Sequence, residues 1–261
     1  MQFQLFLLSL ILLAGASGPP EYGAWEPITA LTDEFNSNLL DNTKWHDHNP
    51  TWQGRQPALF LPENVSVKDG ILCLEAKVET VPDAPEGYHS FTTASVKAKS
   101  LVRYGYFEIR AKVMGAGVCN AFWFYDATPD MWTEIDVFEI GGGVKGKEKI
   151  DHTNVHVFHT PEYKGTVKDH ISDSIVWQSP TNLADDFHVY ALEWNNEEIK
   201  WYVDGEIICT RKNEYWHQPL YLVFDAETMP DWFGLPDPKD LPAAFQIDYV
   251  RSWKHSEKGE I

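Results

Sequence analysis

Apolar and polar residues alternate in short runs along most of this chain, and turn-forming residues separate the runs. From position 107 to 113 every second residue is apolar and the residues between are charged, which is the pattern of a half-buried strand. Residues 201–207 carry an Asp-Gly pair that predicts a tight hairpin. Helical periodicity is nearly absent, so the pattern predicts an all-β fold, an antiparallel sandwich or barrel. The predicted strands cover residues 65–67, 71–78, 90–97, 104–113, 120–125, 153–158, 188–195, 198–203, 206–210, 220–226 and 245–253.

One further strand, within residues 131–143, combines three acidic residues with β-branched and aromatic neighbours. Pro129-Asp130 precedes it and three glycines end it. In an unbroken strand Glu134 and Asp136 point to one face, and Glu139 points to the opposite, apolar face. The three acids therefore do not share a face unless the strand is irregular.

A β-bulge near Val137 or Phe138 would insert one extra residue and return Glu139 to the acidic face. Leaning side chains could then bring the two glutamate carboxyls to about 5 to 5.5 Å, the separation found in retaining glycosidases. The alternative is an acidic, solvated strand face without chemistry. From this segment alone both interpretations stay open.

Residues 1–18 begin with an apolar run and end in small residues, which predicts a secretory signal peptide and a secreted, extracellular protein. The run is too short to cross a bilayer. Residues 19–261 contain no Pro-, Ser- or Gly-rich linker, charge block or internal repeat, and we expect them to form a single domain.

The chain has 39 acidic and 21 basic side chains, a formal net charge of −18. This charge predicts that neither nucleic acid nor an anionic membrane is a partner, because both would be repelled. It also disfavours a heavily sulfated substrate, although a local basic patch could override the average. We expect a monomer.

The three cysteines cannot all pair, so at most one disulfide is expected. Cys73 and Cys209 lie in apolar runs, where buried free thiols are favoured, and no cysteine or histidine spacing indicates zinc. Asn64 begins a glycosylation sequon, which matters only in a eukaryotic host.

Eight of the eleven tryptophans lie near polar or loop-like sequence, too many for one core alone, although we assign more than half of the eleven to the core. Trp123 and Trp132 fall on or beside the acidic strand and are candidates for packing on sugar rings. Residues 163–186 and 228–241 lack periodicity and are predicted to be loops that shape a binding site.

Histidines are frequent, but their spacing does not match a known metal motif. A histidine near the acidic row, such as His156, is expected to donate a hydrogen bond to a substrate hydroxyl. The chain also lacks a serine nucleophile elbow and a phosphate-binding loop. The histidines that invite a metal interpretation are His46, His48, His152, His156 and His159.

The segment 134–139 resembles the Glu-x-Asp-x-x-Glu signature of glycoside hydrolase family 16 in its bulged form. Further segments that resemble the family follow in the expected order along nearly the whole chain after the leader. They are residues 33–35, 96–97, 104–110, 122–123, 188–194, 202–205 and 247–253.

The resemblance implies an antiparallel β-jelly-roll of two curved sheets whose concave face forms an open cleft for a polysaccharide. Glu134 then corresponds to the nucleophile and Glu139 to the general acid/base, and Asp136 tunes the nucleophile. These assignments agree with the need for one ionised and one protonated carboxyl. The chemistry requires no cofactor.

Residues 45–65 and 232–236 resemble the corresponding regions of agarases and porphyranases. The implied activity is endo-cleavage of β-1,4 bonds in agar-type red-algal galactan, with Asn49, Trp52 and Arg55 as substrate contacts. Arg55 suits a sulfate or a hydroxyl equally, so agarose, porphyran and carrageenan stay open. The overall acidity favours the neutral chain.

Members of the family often hold a structural calcium ion on the convex side, and Glu34, Gly70 and Asp248 correspond to that site. Two other functions remain as alternatives, a laminarinase acting on β-1,3-glucan and a lectin-like binder that has lost its chemistry. The intact Glu134, Asp136 and Glu139 argue against the lectin.

Overall fold

A computed structural model of the protein describes residues 18–159 and 170–256. These residues form seventeen strands and three short 3-10 helices, so the predicted all-β class is confirmed. None of the helices in this part of the chain is long and apolar enough to span a membrane. The strands are β1 (Trp25–Pro27), β2 (Trp45–His46), β3 (Ala58–Phe60), β4 (Val65–Lys68), β5 (Ile71–Val78), β6 (Phe91–Val102), β7 (Gly105–Lys112), β8 (Cys119–Ala127), β9 (Met131–Ile140), β10 (Ile150–His159), β11 (His170–Ser172), β12 (Ile175–Gln178), β13 (His188–Trp194), β14 (Glu198–Val203), β15 (Glu206–Lys212), β16 (Leu220–Glu227) and β17 (Ala243–His255). The helices are η1 (Thr29–Leu31), η2 (Pro62–Asn64) and η3 (Pro238–Asp240).

The strands form one curled sheet that folds into two layers. The first layer contains β1, β17, β5, β4, β7, β13, β14 and β15. The second contains β2, β6, β16, β8, β9, β10, β11 and β12. Pairing is antiparallel except between β3 and β6, and β5 also pairs with β6 where the layers meet.

Aromatic side chains fill the space between the layers. Phe107 of β7 lies 4.9 Å from Phe124 of β8, measured between ring centroids. Phe138 of β9 lies 4.4 Å from Tyr190 of β13 and 5.9 Å from Phe245 of β17, and all three are fully buried. Large aromatic side chains contribute most to such cores, so β9 is held firmly against the first layer.

The predicted hairpin at residues 201–207 is present between β14 and β15. Asp204 and Gly205 occupy its turn with φ values of 50° and 84°. Both angles lie in the left-handed region that the tight primed turn requires, and Asp and Gly adopt it readily.

The prediction of loops over residues 163–186 is wrong for part of that range. β11 and β12 both pair with β10, which extends the second layer at its edge. These strands have three and four residues, too few for an alternating pattern to be visible in the sequence. Residues 163–169 lie outside the described residues. Residues 228–241 are irregular as predicted, apart from η3.

All three cysteines are free thiols in this structure. Asn64 is 1% exposed and its side-chain amide donates to Thr92 Oγ1 and to the Thr93 carbonyl, so the folded chain does not present the sequon to solvent. The signal peptide predicted over residues 1–18 lies almost wholly outside the described residues and stays a prediction.

Candidate active site

β9 carries the irregularity that its acidic residues require. Phe122 of β8 pairs with Phe138, whereas the next residue, Trp123, pairs with Asp136, so Val137 is the extra residue on β9. The pairing with β10 shows the same shift on the other side of β9. The β-bulge expected near Val137 or Phe138 is therefore present. Every residue of β9 beyond it points to the opposite face from the one it would have in a regular strand.

Because of the bulge, Glu134, Asp136 and Glu139 all line one cleft of about 730 Å³. The apolar residues Ile135, Phe138 and Ile140 are fully buried on the opposite face of the strand. The cleft is lined by Thr51, Trp52, Gly54, Arg55, Gln56, Tyr88, Ala121, Trp123, Tyr125, Trp132, Glu134, Asp136, Glu139, Glu227, Pro230 and Asp231.

His156 of β10 lies beside the first two acids of the row. Its Nε2 is 3.4 Å from Asp136 Oδ2 and 3.9 Å from Glu134 Oε1. Its Nδ1 lies 2.9 Å from His170 Nε2. Trp132 Nε1 donates to Glu134 Oε2 over 2.9 Å, so Trp132 orients the carboxyl of Glu134.

Burial raises the pKa of Glu134, Asp136 and Glu139, and repulsion between neighbouring carboxylates raises the pKa of both glutamates further. The hydrogen bond between Glu134 and Asp136 opposes the rise of the Asp136 pKa. Burial lowers the pKa of His156. The row therefore holds protons at neutral pH beside a neutral histidine, which suits a site that needs both a donor and an acceptor of protons.

Three aromatic rings stack along the cleft beside the acids. Tyr125 lies between Trp123 and Trp132, with centroid distances of 4.5 and 4.9 Å and an interplanar angle of 17° for both pairs. Trp52 meets Trp123 edge-on at 6.3 Å. Flat aromatic surfaces of this kind fit the apolar faces of sugar rings. Trp52, Trp123 and Trp132 all line the cleft, and their role as substrate contacts stays a prediction.

Two further acids, Asp225 and Glu227 of β16, face the same side and were missed by the sequence analysis. Asp225 Oδ2 accepts a hydrogen bond from Trp123 Nε1 over 2.8 Å. Glu227 accepts one from Arg55 Nε over 2.8 Å. The two acids are two positions apart and therefore share a face of β16, but the sequence of the strand does not show that this face meets the cleft.

Asn49 does not line the cleft, which corrects its assignment as a substrate contact. It is 5% exposed. Its amide nitrogen donates to Tyr125 Oη, and its amide oxygen accepts from Thr51. Asn49 thus holds the loop against β8, because its polar groups are already used within the protein. Arg55 lines the cleft as expected.

Among the described residues, Glu134, Asp136 and His156 are the only group of three whose ligand atoms lie within 4.8 Å of one another, so they could hold a metal ion. The two carboxylates expected to bind calcium are held by arginines instead. Arg251 binds both oxygens of Glu34 at 2.7 and 2.9 Å, and Arg110 donates to Asp248 Oδ2 over 2.8 Å. Calcium needs several free oxygen ligands, and these carboxylates are already paired.

Comparison with known proteins supplies an independent observation. A family profile described as "Beta-porphyranase A-D, GH16 domain" matches residues 25–255. Beta-porphyranase D of Zobellia galactanivorans is 30% identical over 270 residues, which cover 92% of this chain and 63% of that protein. A beta-glucanase of Rhodothermus marinus is 31% identical over 288 residues, covering 97% of this chain and 94% of that protein.

A crystal structure of a β-porphyranase from the human gut bacterium Bacteroides plebeius superimposes with a TM-score of 0.80. It is 24% identical, and the match covers 92% of this chain and 95% of that one. At this identity the likeness concerns the fold alone. The jelly-roll that the sequence resemblance implied is confirmed by it.

Proposed function

This chain belongs to glycoside hydrolase family 16, and from that premise we propose that it is a retaining endo-β-galactanase that cleaves β-1,4 bonds in agar-type galactans. One observation carries the proposal. The bulge in β9 brings Glu134, Asp136 and Glu139 onto one wall of an aromatic-lined cleft.

In the first step Glu134 attacks the anomeric carbon, and Glu139 gives its proton to the glycosidic oxygen of the leaving sugar. A covalent glycosyl ester on Glu134 results. In the second step Glu139 takes a proton from water, the resulting hydroxide attacks the anomeric carbon, and Glu134 leaves as a carboxylate. Two inversions give retention of configuration.

Asp136 serves the nucleophile in this scheme. Its hydrogen bond with Glu134 lets the two carboxyls share one proton, so Asp136 holds that proton while Glu134 attacks as an anion. His156 lies next to both carboxyls and is neutral at pH 7 because burial lowers its pKa. It is suited to donate a hydrogen bond to a substrate hydroxyl. Trp52, Trp123 and Trp132 offer apolar faces to the sugar rings.

The charges of the cleft favour a neutral galactan. Arg55 is the only Lys or Arg among the described lining residues, and Glu227 is bound to it. The same lining has five carboxyls, those of Glu134, Asp136, Glu139, Glu227 and Asp231, and those that are ionised would repel a sulfate close to them. Agarose is therefore the first candidate. Porphyran is the second, because the matching family profile describes porphyranase domains.

A panel of agarose, porphyran, κ-carrageenan, keratan sulfate and laminarin, with sizing of the products over time, tests the substrate. We expect a ladder of oligosaccharides from agarose or porphyran. Release from laminarin alone would overturn the galactanase and would favour the β-1,3-glucanase alternative. That alternative rests on the relative named a beta-glucanase, which is 31% identical.

Two measurements then test the chemistry. Proton NMR of the first product should show retained configuration, and an inverted product would contradict the double displacement. The variant Glu134→Gln should bind polysaccharide yet release no reducing ends. A wild-type protein that binds agarose without cleaving it, and that behaves like Glu134→Gln, would identify a lectin.

A further inference from the structure

Of the two acids of β16, one lies in register with the general acid/base and the other lies two positions further along the same face. Glu139 pairs with Ala121 of β8, and Ala121 pairs with Asp225 of β16. Glu227 follows on the same face, opposite Cys119. The intervening residue at the level of Glu139 is an alanine, whose short side chain leaves the space between the carboxyls open to the cleft.

These acids are almost completely buried and have few partners. Asp225 is 1% and Glu227 is 4% exposed. Asp225 Oδ1 has no hydrogen-bond partner among the described residues. The Nε of Arg55 is 2.8 Å from Glu227, whereas the side chain of Arg55 is 51% exposed. The ion pair thus joins a buried carboxylate to a cation that reaches into the cleft.

The electrostatic surroundings of Glu139 come from several elements. β9 supplies two carboxyls, β16 supplies two more, β8 supplies a thiol, and the loop before β3 supplies one cation. On the other side of Glu139, β10 supplies a histidine whose backbone lies opposite that of Glu139 in the strand pairing. A lysine and a carboxylate lie further out. These groups are Glu134, Asp136, Asp225, Glu227, Cys119, Arg55, His152, Lys147 and Asp231.

We propose that Glu227 is a positioning residue for the general acid: its buried charge keeps the catalytic proton on Glu139, and Arg55 limits how strongly it does so. The proposal rests on the role of Glu139 given above. Glu227 makes no contact with the reacting atoms and acts only through Glu139. Arg55 then has two tasks, since its exposed end remains available to the substrate.

The directions of the pKa shifts agree with this arrangement. Burial raises the pKa of Glu139 most, and the carboxylates of Asp136, Glu227, Glu134 and Asp225 raise it further. Burial also raises the pKa of Glu227, and the nearby guanidinium of Arg55 lowers it. An ionised Glu227 repels a second charge on Glu139, and the positive charge of Arg55 beside it offsets part of that repulsion.

The variants Glu227→Gln and Arg55→Gln should act in opposite directions. Glu227→Gln removes a negative charge, so Glu139 should lose its proton at a pH lower by about 0.5 to 1 unit. Arg55→Gln removes the positive charge and should move the same titration to higher pH. Glu206→Gln, at the exposed first residue of β15, is the matched control and should change nothing.

Carbon NMR of side-chain carboxyls measures this titration directly in labelled full-length protein. The resonance of Glu139 is identified by its loss in Glu139→Gln. An unchanged titration in both cleft variants, or a shift in the same direction in both, would overturn the proposal. Should Glu227→Gln not fold, as judged by circular dichroism, Arg55→Gln decides alone, and any result other than an upward shift overturns it.

The pH dependence of kcat/KM on agarose and porphyran connects the titration with turnover. The alkaline limb should move down in Glu227→Gln and up in Arg55→Gln. Loss of the limb shift despite a shifted NMR titration would show that Glu139 is not the general acid, which refutes the proposed function instead. A purely structural role would lower activity equally at every pH.

Discussion

At the scale of single residues, a hydrogen bond from His170 sets the tautomer of the histidine beside the nucleophile. His156 is neutral because burial lowers its pKa. A proton on its Nε2 faces Asp136 Oδ2 at 3.4 Å, and its Nδ1 then accepts from His170 Nε2 at 2.9 Å. This tautomer leaves the single N–H of the neutral ring on Nε2. Asp136 Oδ2 has no hydrogen-bond partner among the described residues, so this N–H stays available to a substrate hydroxyl at the acidic row.

The general acid can be tested by changing the leaving group. Glu139→Gln should lower kcat/KM on polysaccharide by about 10²- to 10⁴-fold, because the glycosidic oxygen then leaves without a proton. An aryl galactoside with an acidic phenol needs little protonation and should lose far less. Parallel assays on both substrates check this. An equal loss on both would assign Glu139 to binding or folding rather than to proton transfer.

Asp151 of β10 shows how a buried acid couples folding to pH. It is fully buried, and both of its carboxyl oxygens lack hydrogen-bond partners among the described residues. Burial raises its pKa well above the ordinary value. The folded state thus binds the proton more tightly than the unfolded state. The stability this contributes is complete below the unfolded pKa of about 4 and is lost as the pH rises toward the folded pKa.

Asp151→Asn should remove this dependence, because an amide does not titrate. Relative to wild type, the melting temperature of the variant should rise between pH 5 and pH 8 by about 2 to 4 °C, corresponding to about 1 kcal/mol. Thermal unfolding at both pH values measures the difference. The exposed Asp130→Asn is a suitable control. A constant difference across the range would show that Asp151 does not titrate there.

At the scale of elements, the site depends on the bulge in β9. Val137 is the residue without a counterpart on β8. Because of this extra residue, the side chain of Glu139 points into the cleft, and Phe138 packs against β13 and β17. This feature could be predicted because it is local. Within six positions of one strand, the third acid falls on the face that the alternating pattern assigns to apolar residues.

Other parts of the site could not be found in this way. β16 is apolar on nearly both faces, with Tyr221 and Val223 preceding Asp225, so its sequence does not reveal which face meets the cleft. Asn49 is fixed by Tyr125, 76 positions away. β11 is defined only by its pairing with β10. Each of these depends on long-range packing that a local pattern does not contain.

Deleting Val137 tests the bulge itself. The deletion restores a regular strand, turns Glu139 away from the cleft and pushes it toward the core. We expect undetectable hydrolysis and a loss of several kcal/mol of stability, because a carboxyl would replace apolar packing. Val137→Ala keeps the register and is the control, with a cost of about 1 to 3 kcal/mol and activity retained. Hydrolysis by the deletion variant would refute the role of the bulge.

At the scale of the whole molecule, the two layers have separate tasks. The second layer carries the cleft, and the first layer supports β9 from behind, including a hydrogen bond from Trp201 Nε1 to the Asp136 carbonyl at 2.9 Å. Arginine–carboxylate pairs tie β17 of the first layer to its surroundings, through Arg251 with Glu34 and Arg110 with Asp248. These pairs occupy the acids that the family resemblance assigned to calcium.

The thermal stability of the protein should therefore not depend on calcium. Adding EDTA should change the melting temperature by less than about 1 °C, because no ion is released from Glu34 or Asp248. A bound ion present at 100 times its dissociation constant would instead contribute about 2.7 kcal/mol, and its removal would lower the melting temperature by several degrees. Differential scanning calorimetry with and without EDTA separates the two cases. A fall that added Ca²⁺ reverses would show that the arginines give way to the ion, since Glu34 and Asp248 cannot fully satisfy both at once.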